Sequence, residues 1–552
     1  MRNKIDFGID LGTTNSAIAK MQNGVPTIIK SPVGADTLPS CVHFTKRKDT
    51  VIGTPAINVM KNDYARALRT GVQGETNTFI EFKRTMGTTT KFESSHMGKS
   101  FSSDELSAEI LKSLRSLVID EDISSIVITV PAKFLNPQMD ATINAAKMLG
   151  FKQVELLQEP VAAATAFGLS SKKEDGFWLV FDFGGGTFDA AIIKSESGIL
   201  SVKDTDGDNW LGGKNLDDAI IDKLIIPNIQ ENFSVNSILE DSDKKELLRS
   251  AVKHFAEEAK IQLSFKDSDN ILSNLGDLPF EDENGEEPEI DVNVTQKDLD
   301  DIFSPIFQKS IDIVKDLLKR NNLKGADLGA LMLVGGPTYS PILRKMLKEQ
   351  ITDKIDTSAD PMTVVAQGAA LYASTISITE EVKEESRDKT KIQLDLKYEA
   401  TTVETDELIS LKVLKEKTTG TIPDKVFAEC DREGWSSGKV PIGEKATVID
   451  LLLEEGRSNS FKVNLFDDAG NRLDCEPGEF SILQGIGGLD SMQTLAYNIG
   501  IAKYFHFEEK DLFLPIKGLE KNKRVPAVGV NNELKTRIDI RPGMKNDIIR
   551  IP

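Results

Sequence analysis

Two stretches of this chain repeat one pattern. "DFGIDLGTTNSAIAKM" (Asp6–Met21) and "LVFDFGGGTFDAAIIK" (Leu179–Lys194) each run an apolar strand into an aspartate, an apolar residue and a glycine. Each then turns through small residues and leaves on a second apolar strand. A one-residue gap inside the turn brings the two into alignment. Glycine runs weaken helices and strands alike, so three in a row within an apolar segment need a reason. Asp10 and Asp182 enter the two turns at matching places. The repeat predicts two β-hairpins belonging to two related lobes that face each other.

The residue types point to a chemistry. Glycine lets the backbone come close to a ligand, and successive backbone N–H groups in such a turn form a concave nest for anions. Gly12 in the first turn and Gly184, Gly185 and Gly186 in the second supply that backbone, while Thr13, Thr14 and Thr187 add hydroxyl donors. A carboxylate beside a phosphate repels it unless a hydrated cation lies between, and Mg2+ favours one or two carboxylates plus phosphate oxygens. One such hairpin alone would be read as an ordinary glycine turn. The matched pair reads as a clamp on a polyphosphate and its metal. A Walker loop is not the source: "GWSSGKV" (Gly434–Val440) has the wrong spacing and no Ser or Thr after its lysine. No GxGxxG opens a helix, and His43, His96, His254 and His506 are scattered without metal or triad spacing.

The chain of 552 residues is too long for one core. Its net charge of −20 argues against a nucleic-acid partner, which would need clustered cations. The three cysteines, Cys41, Cys430 and Cys475, form neither a disulfide framework nor a metal set, which fits a reducing compartment. No apolar run is long enough to span a bilayer. Asp6 and Asp10 come too early for a signal-peptide core, so the expected location is cytoplasmic. Residues 1–376 alternate strands with amphipathic helices, as in an α/β fold. "SSIVITV" reads as a buried strand. The helix after it has Asn136 as N-cap, Pro137 as first residue and Gly150 as its stop. "EDENGEEPE" (Glu281–Glu289) reads as a solvated loop. Residues 377–391 are charged, lack apolar periodicity and read as a linker. Residues 392–485 read as short strands joined by Gly and Asp turns, a β-sandwich-like module.

With these segments in place the chain resembles DnaK-type chaperones, the seventy-kilodalton heat-shock class within the actin and hexokinase superfamily. "GIDLGTTNS", "VITVPAKFLNPQMDATINAAKMLGF", "LLQEPVAAATAFGL", "FDFGGGTFD", "NWLGGKNLDDAI" and "LMLVGGPTYSPILRKML" occur in the order of that family across about 376 residues. The resemblance implies a two-lobed actin-like ATPase domain with duplicated ribonuclease-H-like cores, its lobes spanning about 1–168 plus 358–376, and 169–357. It implies ATP or ADP with Mg2+, and K+ as an additional cation. Asp10 and Asp182 would hold the metal, mainly through water. Lys83 would steer the γ-phosphate and the attacking water, a task suited to an ammonium. Glu159 would hold the metal's water shell or the nucleophile, with Thr187 in the second phosphate loop. Pro131 and Pro160 would couple the site to the domain. Glu257, Lys260 and Ser264 would reach ribose and adenine from one helix face, and Gly335 and Gly336 would let the purine approach. Phe181, Phe183 and Phe188 are expected in the core.

The chain also departs from that family. Tyr339 stands where an arginine usually packs on the adenine, Met362 where an acid follows the proline, and Lys214 in a commonly acidic place. The charged linker and the 392–485 module intervene before a partial substrate-binding-like β region at 486–552, which includes "LFLPIKGLEKNKRVPAVGV". Three functions compete. A slowly hydrolysing chaperone ATPase with protein clients or co-chaperones leads. A nucleotide-sensing scaffold with little hydrolysis is second. A small-molecule kinase is disfavoured by the chaperone-type segments.

Overall fold

The computed structural model describes residues 4–489 apart from 71–75, 171–174, 197–198, 275 and 279, together with 500–505 and 510–517. Two sheets of the same topology dominate residues 4–376. The first contains β1 (Phe7–Asp10), β2 (Asn15–Gln22), β3 (Val25–Ile28), β4 (Ser125–Val130) and β5 (Gln153–Gln158), in the order β5-β4-β1-β2-β3. The second contains β6 (Gly176–Phe183), β7 (Phe188–Glu196), β8 (Ile199–Asp208), β9 (Leu328–Val334) and β10 (Ile355–Asp356), in the order β10-β9-β6-β7-β8. In each sheet the first three strands form an antiparallel meander and the last two join it in parallel. These are the duplicated ribonuclease-H-like cores. The repeat needs no gap, which corrects the sequence alignment. Asp10 pairs with Ala17 and Asp182 with Asp189, so both hairpins close over the same span (17 − 10 = 189 − 182 = 7).

The apolar runs explain the layers. β4 is buried along its whole length, as befits a central parallel strand with helices on both faces. Phe181, Phe183 and Phe188 lie fully buried in the core of the second lobe, against Phe307 and the long helices beneath. Between the sheets, helices Glu159–Ser170 and Val364–Ala373 cross at close range. A Cβ on Gly368 would lie 1.8 Å from the Ala162 carbonyl oxygen. Their side chains join Trp178, Val180 and Met332 in one apolar cluster that connects the lobes.

Three local readings are corrected. The helix Asn136–Lys147 takes Leu135 as its N-cap, because the Gln138 side chain reaches back to accept the Leu135 N–H at 2.8 Å. Gly150, past its end, adopts φ 79°. The charged stretch after the two lobes is not featureless: Glu380–Ser386 is helical and Val382 is buried. Its charges are spent on ion pairs, Arg387 with Glu384 and Lys417 with both Glu380 and Glu384. In the acidic loop, Asp282 is buried and accepts backbone N–H groups of Ser234, Asn284 and Glu286.

Residues 392–485 form two packed sheets. One orders Thr447–Leu452, Asp406–Val413, Ile392–Lys397 and Cys475–Glu476, and the other is built around Glu479–Gln484, Ser458–Phe466 and Val426–Arg432. Phe461, Ile409, Leu411 and Ala428 fill the space between. Beyond it, Gly500–Phe505 pairs with Lys510–Pro515; the remainder of the 486–552 reading lies outside the described residues, apart from 486–489 and 516–517. Gly368→Ala should lower the unfolding free energy of the two-lobed unit by about 2–3 kcal/mol through overpacking. Calorimetry of the full chain checks this, and an unchanged midpoint would contradict the close helix crossing.

Candidate functional site

The two hairpin turns meet. A Cβ on Gly185 would lie 2.2 Å from the Thr14 hydroxyl oxygen, so only glycine permits this approach. The second turn is tight, with the Gly184 N–H donating to the Thr187 carbonyl at 2.9 Å. The first is braced from below: the Gly12 N–H donates to Ser16 Oγ and Ser40 Oγ donates to the Gly12 carbonyl. Around the turns lies a cleft of about 450 Å³ whose walls include Asp10, Thr13, Lys83, Glu159, Asp182 and Asp189.

Each charged group arrives on a defined element. Asp10 ends β1 and accepts from Thr129 Oγ1 of β4 at 2.9 Å. Glu159 opens its helix directly after β5. Lys83 sits in the short helix Phe82–Thr85, held by the buried Phe82. Its ammonium is 2.8 Å from Glu159 Oε1, with the Phe134 ring 5.7 Å away. Asp182 and Asp189 face each other across the second hairpin.

This crowding of carboxylates shifts their protonation. Burial and then the Glu159 charge push Asp10 up to about 6, against the opposing pull of Lys83 and Thr129. Burial and Glu159 push Asp189 up to about 7, with Lys133 and Lys83 opposing. Asp182 is raised well above the usual carboxylate range by burial, then by Glu159, Asp189 and Asp10. Both Asp182 and Asp189 keep some access to the cleft, so a cation could reach them. Among the described residues no three His, Cys, Asp or Glu side chains converge to ligate one ion directly. The donor set therefore fits a cation that keeps several waters, as Mg2+ does, and whose charge would relieve the mutual repulsion.

The sequence reading passed over Asp189, Arg84 and Lys133. The signal for Asp189 was present, since "FDFGGGTFD" is flanked by an aspartate on either side. Arg84 Nη2 donates to the Gly186 carbonyl at 2.7 Å, and its guanidinium lies over the Trp210 ring. Lys214 pairs with Glu81 at 2.6 Å. Lys133 reaches Asp206 at 3.6 Å. All three bridge the two lobes across the cleft.

The residues expected to meet a nucleoside are arranged differently from the two turns. Gly335, with φ 88°, brings its backbone against Phe183, where a Cβ would lie 2.3 Å from the carbonyl oxygen. Gly336 lies beside Met362, and both line the cleft. Lys260 is engaged by Asp217 at 2.6 Å, Ser264 Oγ donates to the Lys260 carbonyl, and Glu257 points to solvent. Tyr339 donates to Asp360 at 2.5 Å, and its ring packs near Phe265.

Two facing ribonuclease-H-like lobes with paired glycine loops define the class of actin-like two-lobed proteins. The family model described as Hsp70 protein matches residues 6–423. The chain is 35% identical over 382 residues to the chaperone protein DnaK of Methanothermobacter thermautotrophicus, covering 67% of this chain and 60% of that protein. It is 34% identical over 380 residues to the DnaK of Nitrosopumilus maritimus, and 34% over 375 residues to that of Mycoplasma mobile. The chain belongs to the Hsp70 family. It spans about 60% or less of the length of these curated relatives. No described helix is long and apolar enough to cross a membrane.

The folded protein keeps these carboxyls protonated over a range in which the unfolded chain releases them. Without ligand, stability should therefore fall as pH rises from about 4 to 7. Asp189→Asn should stabilise the ligand-free chain on the order of 2 kcal/mol at pH 7.5 and change little at pH 4.5. Denaturant titrations at the two pH values check this, and equal effects at both would contradict it.

Proposed function

We propose that this chain binds Mg·ATP between its two glycine loops and hydrolyses it slowly, as the nucleotide-dependent part of a DnaK-type chaperone. The observation that carries the reading is that Lys83, Glu159, Asp10 and Asp182 line one cleft with the touching Thr14 and Gly185. Phosphoryl transfer requires positioning and charge stabilisation more than covalent chemistry. Thr13, Thr14, Gly185, Gly186 and Thr187 hold the phosphates by N–H and hydroxyl donors, while Gly12 and Gly184, whose N–H groups close their own turns, let the backbone come close. A bound Mg2+ would neutralise phosphate charge, held through water by Asp10 and Asp182. Lys83 supplies the positive charge at the reacting end, and its pairing with Glu159 keeps the ammonium oriented. Glu159 aligns the attacking water through its second carboxylate oxygen, and Asp189 lines the same cleft.

The family departures leave this machinery intact. Lys214 serves a lobe-to-lobe ion pair with Glu81, and Tyr339 is tied to Asp360, so neither alters the two loops. This favours hydrolysis over a purely sensing scaffold. Coupling to the β module has a physical basis in contacts with both lobes. A Cβ on Gly24 of the β2–β3 turn would lie 2.2 Å from the Ser458 carbonyl oxygen. Gly488–Leu489 adds in parallel to the β8 edge at Ile199 and Leu200, and Leu483 and Ile486 join the interlobe core. Lobe rotation would be felt at each, and protein clients or co-chaperones of the longer family architecture would respond to it.

Lys83→Ala should retain Mg·ATP binding within several-fold while lowering single-turnover hydrolysis by about 100-fold. Quenched-flow with radiolabelled ATP checks this. Equal rates in both proteins would contradict the role of Lys83 and favour the scaffold.

A further inference from the structure

The four-stranded sheet of the β module ends in the strand Thr447–Leu452, which pairs with Asp406–Val413 on one side. It has no strand on its other side among the described residues. Such an edge offers a row of unused N–H and C=O groups. Its side chains alternate strictly: Ile449 and Leu451 face the sandwich core, and Val448, Asp450 and Leu452 face outward. An outward face normally carries polar residues. Here Val448 is 57% exposed and Leu452 45%, and Leu408, directly across from Asp450, is 54% exposed. Three apolar side chains thus surround one carboxylate. No ion pair or hydrogen bond engages that carboxylate among the described residues. Glu404 and Asp406 add to the negative charge nearby, and both are exposed.

The identity of a docking strand follows from this pattern. A second copy of the same strand is disfavoured. The centred antiparallel register sets Asp450 opposite Asp450, and like charges directly opposite destabilise a sheet; the two shifted registers set Asp450 opposite Val448 or Leu452 and leave it without a counter-charge. The complementary segment carries a basic residue opposite Asp450 and apolar residues two positions to either side. Arg432 donates to the Leu452 carbonyl at 3.2 Å, which occupies that one acceptor and leaves the Leu452 side chain exposed.

We propose that Thr447–Leu452 captures an extended segment of a partner protein reading apolar, any, basic, any, apolar, by adding it as a fifth strand. Main-chain hydrogen bonds would supply the affinity and the alternate side chains the selectivity. The site is separate from the nucleotide cleft and does not depend on the reading of that cleft.

Fluorescence anisotropy of the full chain with two labelled nine-residue peptides tests this. One has Val-Thr-Lys-Thr-Leu at its centre and the other Val-Thr-Glu-Thr-Leu. The lysine peptide should bind at least tenfold more tightly. Asp450→Lys should weaken the lysine peptide about tenfold and strengthen the glutamate peptide correspondingly. Val448→Ser with Leu452→Ser should weaken the lysine peptide while keeping its preference. Equal binding of the two peptides to the unaltered chain, no binding of either, or an Asp450→Lys protein that treats both alike would overturn the proposal. The comparison on the unaltered chain decides the matter even if a variant fails to fold.

Discussion

Four carboxylates, Asp10, Glu159, Asp182 and Asp189, share one cleft with the ammonium groups of Lys83 and Lys133. Such a surplus of negative charge in a partly closed space is costly. The raised proton affinity of three of the aspartates measures that cost. The scaffold around them exists to hold the cost in place. Asp10 ends one central strand and Asp182 lies one residue from the end of the other, in two separate sheets, and each strand is buried in its own core. The interlobe cluster then fixes how the sheets face one another. A cation and a polyphosphate, as proposed for this cleft, would turn the surplus into an attraction.

Much of this was legible in the sequence because it rests on local patterns. The glycine turns, the strand alternation and the phenylalanines around "FDFGGGTFD" each carry their own periodic signature, and the sheets reproduce it. What was hidden depends on pairs remote in sequence. Lys214 with Glu81, Arg84 with Gly186 and Lys133 with Asp206 join segments that no periodicity relates. The short helix within the charged stretch after the lobes is hidden for the same reason, since its acidic residues pair with Lys417 of the sandwich. Asp189 was overlooked although its place in the repeat was visible, because the first hairpin carries Ala17 at the equivalent position.

The residues proposed to meet a nucleoside show how far motif matching reaches. Gly335 and Gly336 lie on the cleft, as close backbone approach requires. Glu257, Lys260 and Ser264 keep helical spacing, yet Lys260 and Ser264 are satisfied by neighbours in the protein. Spacing placed them on one helix; it could not foresee Asp217 as a competitor for the lysine. The β module illustrates the opposite case. Its fold was readable from alternation, whereas its contacts with both lobes, through Gly24 and through the β8 edge, were not.

The central claim is that the two glycine turns act as a single clamp. Isothermal titration of Mg·ATP into Gly185→Val, beside the unaltered chain, tests it most directly. The valine side chain would push Thr14 away and separate the turns. The account predicts a loss of affinity of about 100-fold or more, with the β module still folded by circular dichroism. Unchanged affinity in a folded Gly185→Val protein would contradict it.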